Sequence, residues 1–142
     1  MSKKVCLCGS FRFFEKMLEI EKFLAEKGIV CYMPRPFEFR DQNQPCYFED
    51  KWNPLTNEDK LLLSRKAEKQ YLQKLDSADV IYVVNPCGYV GPSVLFEIGY
   101  AIAKGKDVYS LDPIQEYSVM GLIEKTMTPE ALAKSLLNSP SS

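Results

Sequence analysis

Short, wholly apolar runs alternate along the chain with longer segments in which apolar residues recur every three or four positions. Residues 4–8, KVCLC, form the first run and stop at Gly9-Ser10. From residue 11 to 27 the spacing turns helical. Phe13, Met17, Ile20 and Leu24 step by four, three and four, and Glu and Lys fill the other face, which predicts an amphipathic helix. Gly28 stands where a helix end favours glycine. Residues 29–33 make a second apolar run, ended by Pro34-Arg35-Pro36. Strand, short helical crossover and strand imply a parallel pair.

Residues 37–56, FEFRDQNQPCYFEDKWNPLT, break this pattern, being polar and aromatic without a period. Such a stretch in a compact domain indicates a functional loop or lid, or local order that the pattern does not reveal. Its Phe37, Phe39, Tyr47, Phe48 and Trp52 either cover a ligand or anchor the loop to the core. Thr56 or Asn57 is placed to cap a helix running to about residue 75, with Leu63, Ala67, Tyr71 and Leu75 as its stripe. VIYVV, residues 80–84, suits a central parallel strand covered on both faces. The loop NPCGYVGP follows, then a helix over 93–104 ended by Gly105, and a strand over 107–111. Pro129 opens a last helix, PEALAKSLL, and residues 139–142 are expected to be a disordered tail.

The expected fold is α/β: one domain over residues 1–138, a doubly wound parallel sheet of the Rossmann or flavodoxin kind. The sheet has four to five strands in the order 2-1-3-4, with helices on both faces. The crossovers reverse between strands 1 and 3, and ligands bind at the carboxyl ends of the strands where that happens. CGSFR after strand 1 and NPCGYVGPSVLFE after strand 3 meet there.

Composition narrows the chemistry. A chain of 142 residues is one typical domain and buries a full core without staples. Its 18 basic and 19 acidic residues are interspersed and leave a net charge of −1, so no global field gathers a nucleic acid polymer or an anionic membrane. No apolar run approaches about 18 residues, and a strand starts almost at once, which points to a cytoplasmic protein. Histidine is absent, which excludes imidazole triads and imidazole metal sites. Proton chemistry must then use carboxylates, Tyr, Lys, Cys or water. The five cysteines, Cys6, Cys8, Cys31, Cys46 and Cys87, include no CxxC pair, which argues against zinc knuckles and disulfide exchange. Cys6, Cys8 and Cys31 lie in apolar runs, as buried thiols do.

Gly9, Ser10, Phe11 and Arg12 occupy a strand-to-helix turn, where backbone N–H groups bind anions. Ser10 adds a hydroxyl, and the Arg12 fork reaches a phosphate with two donors. A plain cap, with Ser10 capping and Arg12 in solvent, fits the same residues. Asn85, Gly88, Gly91 and Ser93 belong to the second loop and the helix start, and complete the expected binding set. Glu97 lies four residues beyond Ser93 and faces the same way, one turn deeper. On a helical wheel it flanks the apolar face of Val94, Leu95, Ile98, Ala101 and Ile102. A carboxylate partly desolvated near a helix N-terminus suits a nucleophile or base, or a structural Glu bonded to the loop.

Residues 79–109, DVIYVVNPCGYVGPSVLFEIGYAIAKGKDVY, resemble the nucleoside 2-deoxyribosyltransferase-like superfamily. The matching marks are the glycine-containing loop, the E-x-G-x-A of Glu97, Gly99 and Ala101, and Gly105-Lys106 before the next strand. CGSFR resembles the G-S-x-R turn of the branch that hydrolyses deoxynucleoside 5′-monophosphates, and the pattern extends over residues 3–112. The resemblance implies that Glu97 attacks the anomeric carbon and expels the base, and that water or a second base resolves the glycosyl-enzyme. It also implies that Ser10, Arg12 and Ser93 hold a 5′-phosphate, that no cofactor or metal is needed, and that the chain forms a homodimer or larger homo-oligomer. The partner is then a small-molecule nucleoside or nucleotide.

Two positions depart from that pattern. The family's acid, which protonates the departing base, is an Asp near residue 71, where this chain has Lys69-Gln70-Tyr71. Glu68 is the nearest carboxylate and the candidate substitute, although it sits off the expected stripe among Lys and Arg, as a solvated side chain would. The family's Tyr on strand 1 is replaced by Cys6. Two other readings stand beside this one. A phosphoribohydrolase of the lysine-decarboxylase-like type calls for P-G-G-x-G-T-x-x-E, which residues 86–93 match poorly. A nucleotide-binding module without catalysis fits the two departures.

Overall fold

A computed structural model describes residues 3–34 and 53–138. The aromatic segment through Trp52, with Asp41, Cys46, Glu49 and Asp50, and the 139–142 tail lie outside the described residues. Five parallel strands form one sheet in the order β2-β1-β3-β4-β5. They are β1 Val5–Cys8, β2 Cys31–Tyr32, β3 Val80–Val83, β4 Asp107–Ser110 and β5 Lys125–Thr126. In register, Cys8 stands beside Val83 and Val83 beside Ser110. The described helices are α1 Phe14–Glu26, α2 Asn57–Ser77, α3 Pro92–Ala103, α4 Tyr117–Met120 and α5 Pro129–Asn138.

Strand side chains alternate between faces, and here each face has its own cover. Val5, Leu7, Val80 and Tyr82 pack with Phe14, Met17, Ile20 and Leu24 of α1 and Leu132 and Leu136 of α5. Cys6, Cys8, Ile81 and Val83 pack with Tyr71 and Leu75 of α2 and Val94, Ile98 and Ala101 of α3. Burial on both sides is why β1 and β3 read as continuous apolar runs. The chain runs outward from β1 to β2, then crosses back to β3, so α1 and α2 cover opposite faces. That reversal opens the crevice at the carboxyl ends of β1 and β3.

Two details differ from the expectation, a 3₁₀ turn and the short helix α4, and the strand count is the upper end of the expected four to five. Residues Phe11–Phe13 form a 3₁₀ turn, and the α-helix starts only at Phe14. A fifth strand, Lys125–Thr126, pairs with Tyr109 and Ser110 of β4. It is exposed and two residues long, so it leaves no apolar signal. The short helix α4 precedes it. Thr56 caps α2, its Oγ1 accepting the Asp59 N–H at 3.1 Å. Among the described residues no helix is long and apolar enough to cross a membrane.

The two strand ends touch at Gly9. The Val84 N–H donates to the Cys8 carbonyl at 2.7 Å, and a Cβ on Gly9 would lie 2.8 Å from the Val84 oxygen. Neither backbone can yield easily, because each directly follows a central strand. Gly9→Ala is therefore expected to lower stability by about 1–3 kcal/mol, the usual cost of overpacking. Urea unfolding of the two proteins measures the difference, and equal midpoints would show that the strand ends yield freely.

Candidate active site

Glu97 lies inside the apolar stripe of α3. The buried residues of that helix are Val94, Glu97, Ile98 and Ala101, at spacings of three, four and seven. Leu95 and Phe96 turn outward and are 38% and 56% exposed, whereas Glu97 is 7% exposed. This corrects the expectation that Glu97 flanks a face containing Leu95. α3 begins at Pro92, whose missing N–H costs nothing at that position. Ser93 is exposed on its first turn.

Two side chains meet the Glu97 carboxyl. The Cys8 thiol, at the end of β1, donates to its Oε1 at 3.3 Å. Glu68 of α2 is near enough to oppose its ionisation. Glu68 is half-buried and shares a helix face with the buried Tyr71 and Leu75, three and seven residues on. The buried side of α2 therefore passes through Glu68, and Leu63 and Ala67 lie at its margin, half-buried. Tyr71 is held by its hydroxyl, which donates to the Leu7 carbonyl at 2.7 Å.

Burial is the main reason that the Glu97 carboxyl is pushed up to about 9, and the hydrogen bond and charge of Glu68 push the same way. The Cys8 hydrogen bond opposes them. Glu97 thus keeps its proton at neutral pH, because two carboxylates in contact resist joint ionisation. Burial, then the charge of Glu97, raises the Cys8 thiol in turn, so Cys8 stays an S–H donor. Burial also holds the Tyr71 phenol and the Cys6 thiol protonated, the latter up to about 12.

The other wall of the crevice is electropositive. Ser10 Oγ accepts the Arg12 N–H at 3.3 Å, so the cap expected of Ser10 forms while its O–H remains a donor. The Arg12 guanidinium lies 3.9 Å from the centroid of the Tyr89 ring, and Phe13 meets the same ring edge-on at 6.0 Å. Tyr89 thereby joins the two loops. A ring on one face of the guanidinium leaves its in-plane N–H groups open to an anion. Among the described residues no acidic side chain pairs with Arg12. Phe11 beside it is 37% exposed.

The second loop is held from below. Cys87 and Gly88 have φ of 60° and 82°, and a Cβ on Gly88 would lie 2.7 Å from the Pro113 oxygen. The Cys87 N–H donates to Asp112 Oδ2 at 2.9 Å. Asn85, expected to contact the ligand, is fully buried. Its Nδ2 donates to the Asp112 carbonyl at 2.8 Å and its Oδ1 accepts the Asp112 N–H at 3.0 Å. It shapes the loop from within, because both ends of its amide are engaged by backbone. Gly91 lies under Tyr89, whose Oη is 3.4 Å from where a Cβ would sit. Among the described residues no group of three or more His, Cys, Asp or Glu is placed to hold a metal ion.

Tyr89 and Cys8 are neighbours of the candidate residues that pattern reasoning did not find, and Glu68, named as a candidate, lies nearer the buried side of α2 than expected. Only the three-residue step from Glu68 to Tyr71 signalled that position.

A five-stranded parallel sheet with a carboxyl pair at its switch point defines the class of site. No protein-family model matches the sequence, and no curated protein is significantly similar to it. Solved structures are similar in fold. One is a 2-deoxyribosyltransferase from the psychrotolerant bacterium Bacillus psychrosaccharolyticus, described as a biocatalyst for nucleoside synthesis. It superposes with a TM-score of 0.57 at 14% identity, over 96% of this chain and 92% of that one. Another is a conserved protein from Enterococcus faecalis V583, with a TM-score of 0.55 at 16% identity, over 96% and 98% of the two chains. The chain has the nucleoside 2-deoxyribosyltransferase-like fold.

The buried carboxyl makes stability depend on pH. In the folded chain Glu97 keeps its proton up to about 9, against an ordinary value of 4.5. Between those values the folded state binds the extra proton, so stability falls as pH rises through that window. Glu97→Gln removes the titration. The variant is expected to be more stable than the native chain at about pH 8, by at least about 1 kcal/mol, and to lose that advantage at about pH 5. Denaturant titrations at both pH values measure this, and parallel pH dependences would show that Glu97 ionises normally.

Proposed function

We propose that the chain cleaves or transfers the N-glycosidic bond of a nucleoside or nucleoside 5′-monophosphate through a covalent glycosyl–Glu97 intermediate. The observation that carries this is the buried Glu97 carboxyl on α3, bonded to Cys8 at the end of β1 with Glu68 of α2 near it. Retaining glycosidases need two carboxyl groups, one to attack and one to deliver a proton. This chain has no histidine for either task.

The proton that the pair shares starts on Glu97. With substrate seated it passes to Glu68, and Glu97 becomes the anion that attacks the anomeric carbon. The bond from sugar to base breaks, and the base leaves with the proton from Glu68. Glu97 is then esterified to the sugar, and Glu68 is a carboxylate. Water, or a second base, attacks the same carbon and gives its proton to Glu68, which releases the sugar and restores the Glu97 carboxylate. In this reading Arg12, Ser10 and Ser93 bind the 5′-phosphate.

Incubation with a panel of nucleosides and 5′-monophosphates, followed by chromatography for free base, tests this reading. Base release is expected, and Glu97→Gln is expected to reduce it by several orders of magnitude. Glu68→Gln is expected to slow release of poor leaving groups by about 10²-fold or more, and to spare substrates whose base departs without a proton. Binding without base release would instead make the chain a nucleotide-binding module.

Arg12 tests the substrate class separately. Arg12→Ala is expected to weaken a 5′-monophosphate about tenfold or more relative to its parent nucleoside, because a hydrogen bond to a charged group is lost. Calorimetric titration of both ligands measures the ratio. An equal loss for both would make Arg12 a structural residue of the Tyr89 stack.

A further inference from the structure

The Glu97 carboxyl has two oxygens, and only one of them can form the bond to a sugar. Oε1 accepts the Cys8 thiol. We propose that Cys8 is a positioning residue, whose thiol pins Oε1 so that the other oxygen attacks substrate and exchanges its proton with Glu68. The inference rests on the glycosidic reading of this site.

Cys8 is well placed for this. It is the last residue of a central strand, fully buried, and its carbonyl accepts the Val84 N–H at 2.7 Å. Its Cα therefore cannot drift when substrate enters. Its neighbours spend their protons elsewhere, since the Tyr71 hydroxyl donates to the Leu7 carbonyl at 2.7 Å and the Cys6 thiol approaches that carbonyl at 3.7 Å. Cys8 alone among these donors reaches Glu97.

The groups facing the carboxyl come from three elements. Cys6 and Cys8 belong to β1, and Glu68 and Tyr71 to α2. Lys74 of α2 acts on Cys6 and gives its ammonium to the Met33 carbonyl at 3.0 Å. α3 adds Ser93 one turn before Glu97 and the buried apolar residues Val94, Ile98 and Ala101. Burial and Glu68 both oppose ionisation of Glu97, and the Cys8 thiol favours it. A thiol is also a weak donor. It orients a carboxylate without tying up the charge that the attack requires.

The test uses the full chain with Cys8→Ala, which removes the donor, and Cys8→Ser, which restores one. The ionisation of Glu97 is followed without substrate by carbon-13 NMR of labelled glutamate, assigned with Glu97→Gln. Cys8→Ala is expected to move that titration up by about one pH unit. It is also expected to shift the acidic limb of the kcat profile the same way and to lower kcat about tenfold at neutral pH, with little change in KM. Cys8→Ser is expected to restore all of these. An unmoved titration in Cys8→Ala, or equal effects of Cys8→Ala and Cys8→Ser, would leave Cys8 a packing residue and overturn the proposal.

A second measurement covers a Cys8→Ser chain that fails to fold. The Cys8 S–H infrared band, assigned by difference against Cys8→Ala, is expected to shift as Glu97 is titrated from acid to carboxylate. A band that ignores this titration overturns the contact. If both the NMR and infrared shifts appear while no substrate releases base, the contact stands and the glycosidic reading falls.

Discussion

Glu97 fills a position that helix packing would give to an aliphatic residue. Val94, Ile98 and Ala101 share its face, and it is almost as inaccessible as they are. An ionised carboxylate there, without compensation, would cost several kcal/mol. The structure meets this constraint by keeping the group protonated and giving its proton a neighbour. Glu68 stands near it and opposes its ionisation, and the Cys8 thiol donates to its Oε1. The two carboxyl groups thus stand in unlike surroundings, Glu97 buried and Glu68 half-buried.

The place of this pair follows from the winding of the sheet. Parallel strands put every helix N-terminus on the side of the strand carboxyl ends. Ser93 therefore stands at the mouth of the crevice and Glu97 one turn inside it. The same rule orients α2, so Glu68 lies nearer the mouth than Tyr71. The crevice is narrow at its floor because Gly9 lets β1 and β3 close together. Its rim is held by Asn85, which ties the second loop to the backbone of Asp112. Tyr89 then reaches across and takes Arg12 against its ring. Arg12 and Glu97 thus follow the carboxyl ends of neighbouring strands, β1 and β3.

How much of this was legible in the sequence depends on whether a residue's part was local. β1 and β3 were legible because burial on both faces leaves an unbroken apolar run. The winding followed from the helical crossovers. β5 was not, because Lys125 and Thr126 are exposed and joined to the sheet by backbone alone. Glu97 stood out through its spacing from Ser93, but its depth did not. Leu95 and Phe96 next to it are as apolar as Val94 and Ile98, and only packing shows which pair faces the sheet. Glu68 was obscured by Arg65, Lys66 and Lys69, which make its surroundings read as solvent. Cys8 is 89 residues from Glu97, and nothing in local pattern connects them. Asn85 misled for the opposite reason. A polar residue in a glycine-marked loop looks like a ligand contact until its amide is seen to be engaged by backbone.

The departure at residue 71 becomes intelligible on the same helix. A carboxylate there would point at the Leu7 carbonyl, into the space that the Tyr71 ring now fills. The nearest carboxylate, Glu68, lies three residues back on the same face and one turn closer to the open end. Tyr71 then does two things that a carboxylate could not. It packs against the sheet, and it satisfies a strand carbonyl without adding a second negative charge beside Glu97. Glu68, three residues earlier on the same face, is half-buried where Tyr71 is buried.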